Sequence, residues 1–171
     1  MRLIAVLASV LFISGCAATS VSQTFDDTRN ESLASKRIAN ASPLLKESHI
    51  NVNSFDGIVL ITGQVPSADL IPLATREVEK LRNVRKVYNE LAVAGKTSMI
   101  SRANDSWLTT KIKTALTGNE LTDVTRIMIV TENGVVYLMG LLTQAEAEAA
   151  VNAAREVKGV QKIVKLFEYI N

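Results

Sequence analysis

The chain has 171 residues, of which 47% are hydrophobic and 21% charged, with a formal net charge of +2 at pH 7. This hydrophobic content is sufficient for packed cores and excludes a disordered chain. The charge balance lacks the cationic excess of a dedicated nucleic-acid binder, so we expect no nucleic-acid partner. A chain of this length holds one ordinary domain or two small ones.

Residues 1–15 have the pattern of a secretory signal peptide. A positive end at Arg2 precedes an unbroken apolar or small run over residues 3–13, which is too short to span a bilayer. The sequence ISGC that ends at Cys16 resembles the bacterial lipobox. The resemblance implies cleavage before Cys16 and a covalent lipid on that residue. The alternative is an ordinary signal peptide that leaves a free thiol.

The residues after the leader indicate where the protein is localised. Cys16 is the only cysteine, so no disulfide can form within the chain. Ala17, rather than Asp, follows Cys16; for a lipoprotein this implies export to the outer membrane, with the folded part facing the periplasm. Residues 16–27 are small, polar and aperiodic, which predicts a lipidated tether.

Beyond the tether the chain repeats itself. Residues 28–94 and 104–171 form two copies of one pattern, and residues 95–103 are predicted to be the linker. Each copy predicts the order α-β-β-α-β. A hairpin followed by a helical crossover gives a mixed three-stranded sheet, with a right-handed crossover and both helices on one face. The predicted fold class is therefore α+β, with two tandem units.

The clearest repeated piece is a β-hairpin. Residues 50–63 align with residues 127–140 at a constant offset of 77 (127 minus 50). β-branched residues flank Asp-Gly in the first copy and Asn-Gly in the second, dipeptides that favour a type I′ turn. A later glycine is predicted to close the second strand of each hairpin. The predicted structural turn glycines are thus Gly57, Gly63, Gly134 and Gly140.

Helices are predicted before and after each hairpin. Capping boxes predict one start at Thr28 and another at Thr143, and the run Asn104-Asp105-Ser106 offers N-cap side chains for a third. Aligning the first helices of the two copies on Ile38 and Ile112, at an offset of 74 (112 minus 38), places Leu33 opposite Trp107. On this alignment the second copy has about three extra residues before its hairpin.

This order of elements, with a glycine late in the second strand and a helix after it, resembles the BON domain family. The family occurs in bacterial periplasmic and outer-membrane proteins and is associated with binding phospholipid membranes. The lipobox and residues 104–113, 131–134 and 138–141 resemble a class of outer-membrane lipoproteins with two such domains. The resemblance implies that the second domain binds anionic phospholipid through its first helix. It also implies a role in outer-membrane integrity, with links to the β-barrel assembly machinery and to division sites.

The first helix of the second copy permits that function. Trp107 lies about 110–130° from the centre of the apolar stripe that would seat the helix, so it cannot join the core. A Trp beside hydroxyls and Lys suits a membrane interface. The residues that the resemblance implies for phospholipid binding are Trp107, Leu108, Thr110, Lys111, Lys113 and Thr114. The alternative is that Trp107 packs against the neighbouring domain.

Catalytic and metal chemistry lack a basis in the sequence. His49 is the only histidine and is predicted to end a strand without a functional partner, and we identify no phosphate loop or nucleophile elbow. We therefore expect no catalytic residue, no metal, no cofactor other than the lipid on Cys16, and no small-molecule substrate. The main alternative function is a periplasmic interaction or chaperone-like module that docks on the β-barrel assembly machinery. A lipoprotein that binds the cell-wall polymer is a further alternative.

Overall fold

The computed structural model describes residues 18–96 and 98–171, with side chains from Phe25 onward. The predicted leader and the lipidation residue Cys16 lie outside these residues. The first unit comprises α1 (Ala18–Ala41), α2 (Pro43–Glu47), β1 (His49–Phe55), β2 (Ile58–Val65), α3 (Leu70–Glu79) and β3 (Lys86–Val93). The second comprises α4 (Met99–Thr117), a 3-10 turn (Val124–Arg126), β4 (Ile127–Glu132), β5 (Val135–Leu142), α5 (Gln144–Arg155) and β6 (Lys162–Tyr169).

The predicted topology is confirmed in both units. The strand orders are β1-β2-β3 and β4-β5-β6, with an antiparallel first pair and a parallel second pair in each sheet. Both hairpin turns have positive φ at two successive residues, which is the type I′ geometry. These residues are Asp56 and Gly57 in the first unit, and Asn133 and Gly134 in the second.

Each sheet has helices on one face only, and the two remaining faces pack against each other. In β2, Val59 and Ile61 face α1 and α3, whereas Ile58 and Leu60 face the other sheet. The second sheet repeats this arrangement, with Tyr137 and Met139 of β5 at the centre of the contact between the sheets. The molecule is thus a four-layer sandwich, and α1 and α4 lie in opposite outer layers.

Hydrogen bonds and an ion pair lie at the two ends of the interface between the sheets. Glu132 is buried and accepts hydrogen bonds from Asn51 Nδ2 at 3.0 Å and from Gln64 Nε2 at 2.7 Å, both in the first unit. At the other end, Arg85 Nη2 pairs with Glu168 at 2.8 Å. Burial, with the nearby charges of Glu90 and Glu132, raises the pKa of Tyr137 to about 12. The two units are therefore joined by specific cross-sheet bonds as well as by apolar packing.

Two predicted helix starts were wrong. The predicted tether, residues 16–27, is helical from Ala18, because no Gly or Pro interrupts residues 18–41. The predicted linker, residues 95–103, ends earlier because α4 begins at Met99, where Ser98 Oγ caps the helix by accepting from Ser101 N. The capping box at Thr143 was correctly predicted.

The side chains that were predicted to cap the starts of α1 and α4 form other hydrogen bonds. Thr28 lies inside α1, and Glu31 accepts from Ser54 N at 2.9 Å instead of closing a capping box. Asp105 lies inside α4 and accepts from the N–H groups of Asn133 and Gly134. These carboxylates therefore bind the hairpins rather than cap the helices.

The prediction that a turn glycine closes the second strand of each hairpin was wrong. Gly63 and Gly140 lie within β2 and β5, two residues before each strand ends. A Cβ at Gly63 would lie 2.0 Å from the His49 carbonyl oxygen, and one at Gly140 would lie 2.6 Å from the Arg126 carbonyl oxygen. Both positions lie inside strands rather than at turns, and they need glycine because the neighbouring backbone approaches closely. Gly63 also has a φ of 127°, which other residues rarely adopt.

The helix alignment at offset 74 was also wrong. Asp27 accepts from Asp56 N and Gly57 N, as Asp105 does from the second hairpin, which sets an offset of 78 (105 minus 27). The buried residues Ala34 and Ile38 then match Ile112 and Leu116. The first-unit counterpart of Trp107 is therefore Arg29 rather than Leu33, and the second unit has one residue fewer before its hairpin, not three more.

Candidate functional site

Helix α4 packs over β4 and presents its opposite face to solvent. Its buried side is formed by Leu108, Ile112 and Leu116, which belong to the core beneath the second sheet. Leu108 is only 1% exposed, so its predicted contact with phospholipid is wrong. It lies on the helix side that seats α4 on its own domain.

Trp107 lies on the outward side of α4 and is 58% exposed. The apolar contact between the two units is formed by the sheets and does not include Trp107. The Nζ of Lys111 lies 3.7 Å from the ring centroid and donates to the Lys158 carbonyl oxygen at 2.9 Å. The cation–π contact and this hydrogen bond hold the ammonium group over the indole ring.

The other predicted contact residues share this accessible side. Thr110 and Thr114 are exposed, and each hydroxyl donates to the carbonyl four residues earlier, at 3.0 Å. Lys113 is exposed at the margin and forms no ion pair with the residues that the structure describes. The surface thus combines one aromatic ring, two lysines and hydroxyl groups whose donors are already satisfied.

Two residues of this surface were missed by sequence reasoning. Ile100 is 83% exposed and Met99 is 77% exposed, in the first turn of α4. Ile100 lies seven residues before Trp107, so the two side chains are about 20° apart around the helix. They were missed because residues 95–103 were assigned to the linker. The i, i+7 spacing from Trp107 is the signal that would have found Ile100.

The orientation of α4 is fixed by hydrogen bonds to the second hairpin. Asp105 is buried, and its two carboxylate oxygens accept from Asn133 N at 2.8 Å and from Gly134 N at 2.9 Å. Ser101 Oγ lies 2.9 Å from Asn133 Oδ1, which holds the first turn of the helix to the same hairpin. The exposed apolar side chains are therefore presented on a fixed helix.

A separate cavity lies away from α4. It has a volume of about 560 Å³ between α1, the first hairpin and the start of β4, with Phe55, Met128 and Leu141 in its wall. Of the three acids beside it, Asp27 and Glu31 bind the first hairpin, and Asp56 pairs with Arg85 Nη2 at 2.7 Å. The wall of the cavity is therefore partly apolar, and each of its three carboxylates already has a hydrogen-bond or ion-pair partner.

Within residues 18–96 and 98–171, no group of three or more His, Cys, Asp or Glu side chains could hold a metal ion. His49 begins β1, and its Nε2 lies 3.8 Å from Glu132 Oε1 and 3.3 Å from Asn51 Nδ2. It thus belongs to the contact between the units. Across the same described residues, no helix has both the length and the apolar character needed to cross a membrane.

Comparison with known proteins defines the class. The BON domain model matches residues 26–95 and 104–171, so the chain belongs to the BON domain family and each structural unit is one BON domain. The chain is 31% identical to the outer membrane lipoprotein DolP of Haemophilus influenzae, over 99% of this chain and 96% of that protein. It is 34% identical to the 21 kDa hemolysin of Actinobacillus pleuropneumoniae, over 85% of this chain and 75% of that protein. These matches confirm the predicted family and support an outer-membrane lipoprotein as the class of protein; DolP is named as a lipoprotein, not as an enzyme.

A structural comparison adds a more distant likeness. The C-terminal domain of CdsD, a structural protein of the type III secretion system of Chlamydia trachomatis, matches with a TM-score of 0.34 and 10% sequence identity. The match covers 80% of this chain and 96% of that one. A likeness of this size carries no argument about function.

Proposed function

We propose that the protein is held in the outer membrane by a lipid on Cys16, with both BON domains in the periplasm, and that α4 binds anionic phospholipid. The observation that carries the proposal is the outward, exposed position of Trp107 with the Lys111 ammonium against its ring. An indole prefers the headgroup region of a bilayer, and a neighbouring cation attracts anionic headgroups. In this position the protein supports the integrity of the outer membrane.

The apolar part of the surface would contribute to binding by burial. Ile100, Met99 and Trp107 lose exposed apolar area when α4 lies at the level of the headgroups. Lys111 and Lys113 each add about 1 kcal/mol near an anionic surface. The sum is modest, which suits a domain whose covalent lipid already keeps it near the bilayer and so raises its effective concentration.

The proposal is tested by vesicle binding of the mature chain with Cys16→Ser, which removes the lipid. We expect binding to vesicles with anionic lipid and much weaker binding to zwitterionic vesicles. Ile100→Ser with Trp107→Ala should lower the affinity at least severalfold, because this pair supplies most of the apolar contact. In the unsubstituted protein, the emission of Trp107, the only tryptophan, should shift to the blue on binding.

The matched control is Tyr169→Ala, which removes an exposed aromatic residue at the end of β6. This variant should bind as the parent protein does. Equal binding by the Ile100→Ser/Trp107→Ala variant and the parent would refute the role of α4. Failure of the parent to bind anionic vesicles would favour the alternative of a module that docks on the β-barrel assembly machinery, with Trp107 as the anchor of a protein interface.

A further inference from the structure

The outer face of the first BON domain also combines apolar and cationic side chains. On α1, Phe25 is 72% exposed, and Arg29, Leu33 and Lys36 are exposed on the same side. At 100° per residue these four positions fall within about 80° of one another. We call these four residues the α1 face. It corresponds to the lipid-binding side proposed for α4, because Arg29 is the counterpart of Trp107.

Two of the three acids of α1 bind the first hairpin, and the third, Asp26, is exposed and accepts from Asn83 Nδ2 at 3.2 Å. Asp27 binds the first hairpin through Ser54 Oγ, Asp56 N and Gly57 N. Glu31 likewise binds Ser54 N. Neither Arg29 nor Lys36 forms an ion pair with any residue that the structure describes. The α1 face therefore presents two cations that have no ion pair among the described residues, beside a large exposed aromatic ring, and Asp26 is the one exposed acid near them.

The position of the α1 face in the chain indicates what it meets. Helix α1 begins at Ala18, two residues after Cys16, and Phe25 follows about 10 Å along the helix axis. A lipid on Cys16 would therefore hold Phe25 and Arg29 close to the membrane surface. Because this face is cationic and apolar, a bilayer that contains anionic phospholipid is the partner with complementary chemistry.

We propose that the α1 face is a second anionic-phospholipid surface, and that it competes with α4 for the same bilayer. The competition follows from the four-layer fold: α1 and α4 lie in opposite outer layers, so a planar bilayer cannot lie flat against both. This inference rests on the proposed function for the lipid on Cys16 and for α4. The anchored protein would then exchange between an orientation with α1 on the membrane and one with α4 on it.

The first test measures the α1 face without the lipid, in Cys16→Ser protein that also carries Ile100→Ser and Trp107→Ala. Adding Arg29→Glu with Lys36→Glu should lower the remaining affinity for anionic vesicles at least about tenfold. The matched control is Lys162→Glu with Lys165→Glu, which makes the same charge change at exposed positions of β6 and should have little effect beyond long-range charge. Circular dichroism should show unchanged folding in both.

The second test measures competition in acylated protein reconstituted in anionic vesicles. Arg29→Glu with Lys36→Glu should increase the blue shift of Trp107 emission relative to the control pair, because α4 then meets less competition. The proposal requires both results. It is overturned if the α1 variant matches the control in either test, or if no residual binding remains to be lowered in the first.

These outcomes separate the two proposals. If the α4 substitutions lower binding and the α1 substitutions do not, the proposed function stands and the α1 face is refuted. If only the α1 substitutions lower binding, the role of α4 is refuted. The proposed competition between α1 and α4 is then refuted as well. If the parent chain does not bind anionic vesicles, both are refuted.

Discussion

Asp105 is predicted to be the residue that holds α4 in register with its own sheet. Its carboxylate accepts two backbone N–H groups of the turn between β4 and β5, at 2.8 and 2.9 Å. Asp105→Ala removes both acceptors. The Gly134 N–H is buried in this contact, so no water replaces the lost carboxylate there without a local opening of the turn.

The size of the effect follows from these two bonds. A hydrogen bond to a charged acceptor contributes about 1.5–3 kcal/mol, and partial solvation of the turn recovers some of it, so we expect a loss of about 2–4 kcal/mol of unfolding free energy. Asp105→Asn keeps the shape but offers one acceptor oxygen, and should lose about half as much. Asp27→Ala should lose at least as much as Asp105→Ala, because Asp27 binds the first hairpin through three donors.

Urea unfolding followed by far-ultraviolet circular dichroism measures these losses through the midpoint and the slope. Glu120→Ala, at an exposed position after α4, is the matched control and should stay within about 0.5 kcal/mol of the parent. A loss below about 1 kcal/mol for Asp105→Ala, with an unchanged slope, would show that the carboxylate does not secure the hairpin. The fixed orientation of the Trp107 surface would then need another explanation.

Three further predictions concern the interior and the caps. Glu132→Ala should lower the unfolding free energy by about 1–3 kcal/mol, measured in urea, because Asn51 and Gln64 lose their shared acceptor across the sheets. A tyrosinate absorbance titration should contain a step at about 12 that Tyr137→Phe abolishes; because this pKa is raised in the fold, the associated stability is present at neutral pH and lost as the pH rises towards 12. Hydrogen bonds from the Thr143 N–H and hydroxyl lower the pKa of Glu146, so its contribution is present above the usual carboxyl pKa and lost as the pH falls below it. Thermal unfolding across this acid range should therefore be less pH-dependent in Glu146→Gln, and an unchanged pH dependence would contradict the cap.

The hairpins could be predicted because their turns are decided locally. Asp56-Gly57 and Asn133-Gly134 tolerate positive φ, and this fixes the register of the flanking strands. The helix alignment could not be decided in the same way. Apolar residues recur every turn, so spacing alone does not distinguish two alignments that differ by four residues. Only the contact of Asp27 and Asp105 with the hairpins selects the correct one.

The contact between the two sheets could have been predicted from the apolar character of β2 and β5. Residues 58–61 and 135–139 are continuous apolar runs, as expected for strands buried on both faces rather than on one. The exposed part of the candidate site was harder to predict. Trp107 and its polar neighbours were found because their angle excludes them from the core, whereas Leu108 was included although the same geometry assigns it to the core.

The position of Cys16 relative to the two outer layers determines which helix meets the membrane. Two helix–sheet spacings and one sheet–sheet spacing separate the axes of α1 and α4 by roughly 30 Å. Residues 16–25 span about that distance only when fully extended, whereas the helical part from Ala18 to Phe25 covers about 10 Å. Contact of α4 with the anchoring bilayer therefore requires the first two turns of α1 to unwind, and contact through α1 does not.

A longer tether should remove this constraint. Insertion of ten Gly and Ser residues after Ala17 supplies the missing length without a change in either lipid-binding surface. In acylated protein on anionic vesicles, we expect the blue shift of Trp107 emission to increase, with no change for the same insertion in Cys16→Ser protein. An unchanged emission in the acylated protein would mean that α4 already reaches the bilayer, and hence that the anchored chain does not lie in the α1 orientation.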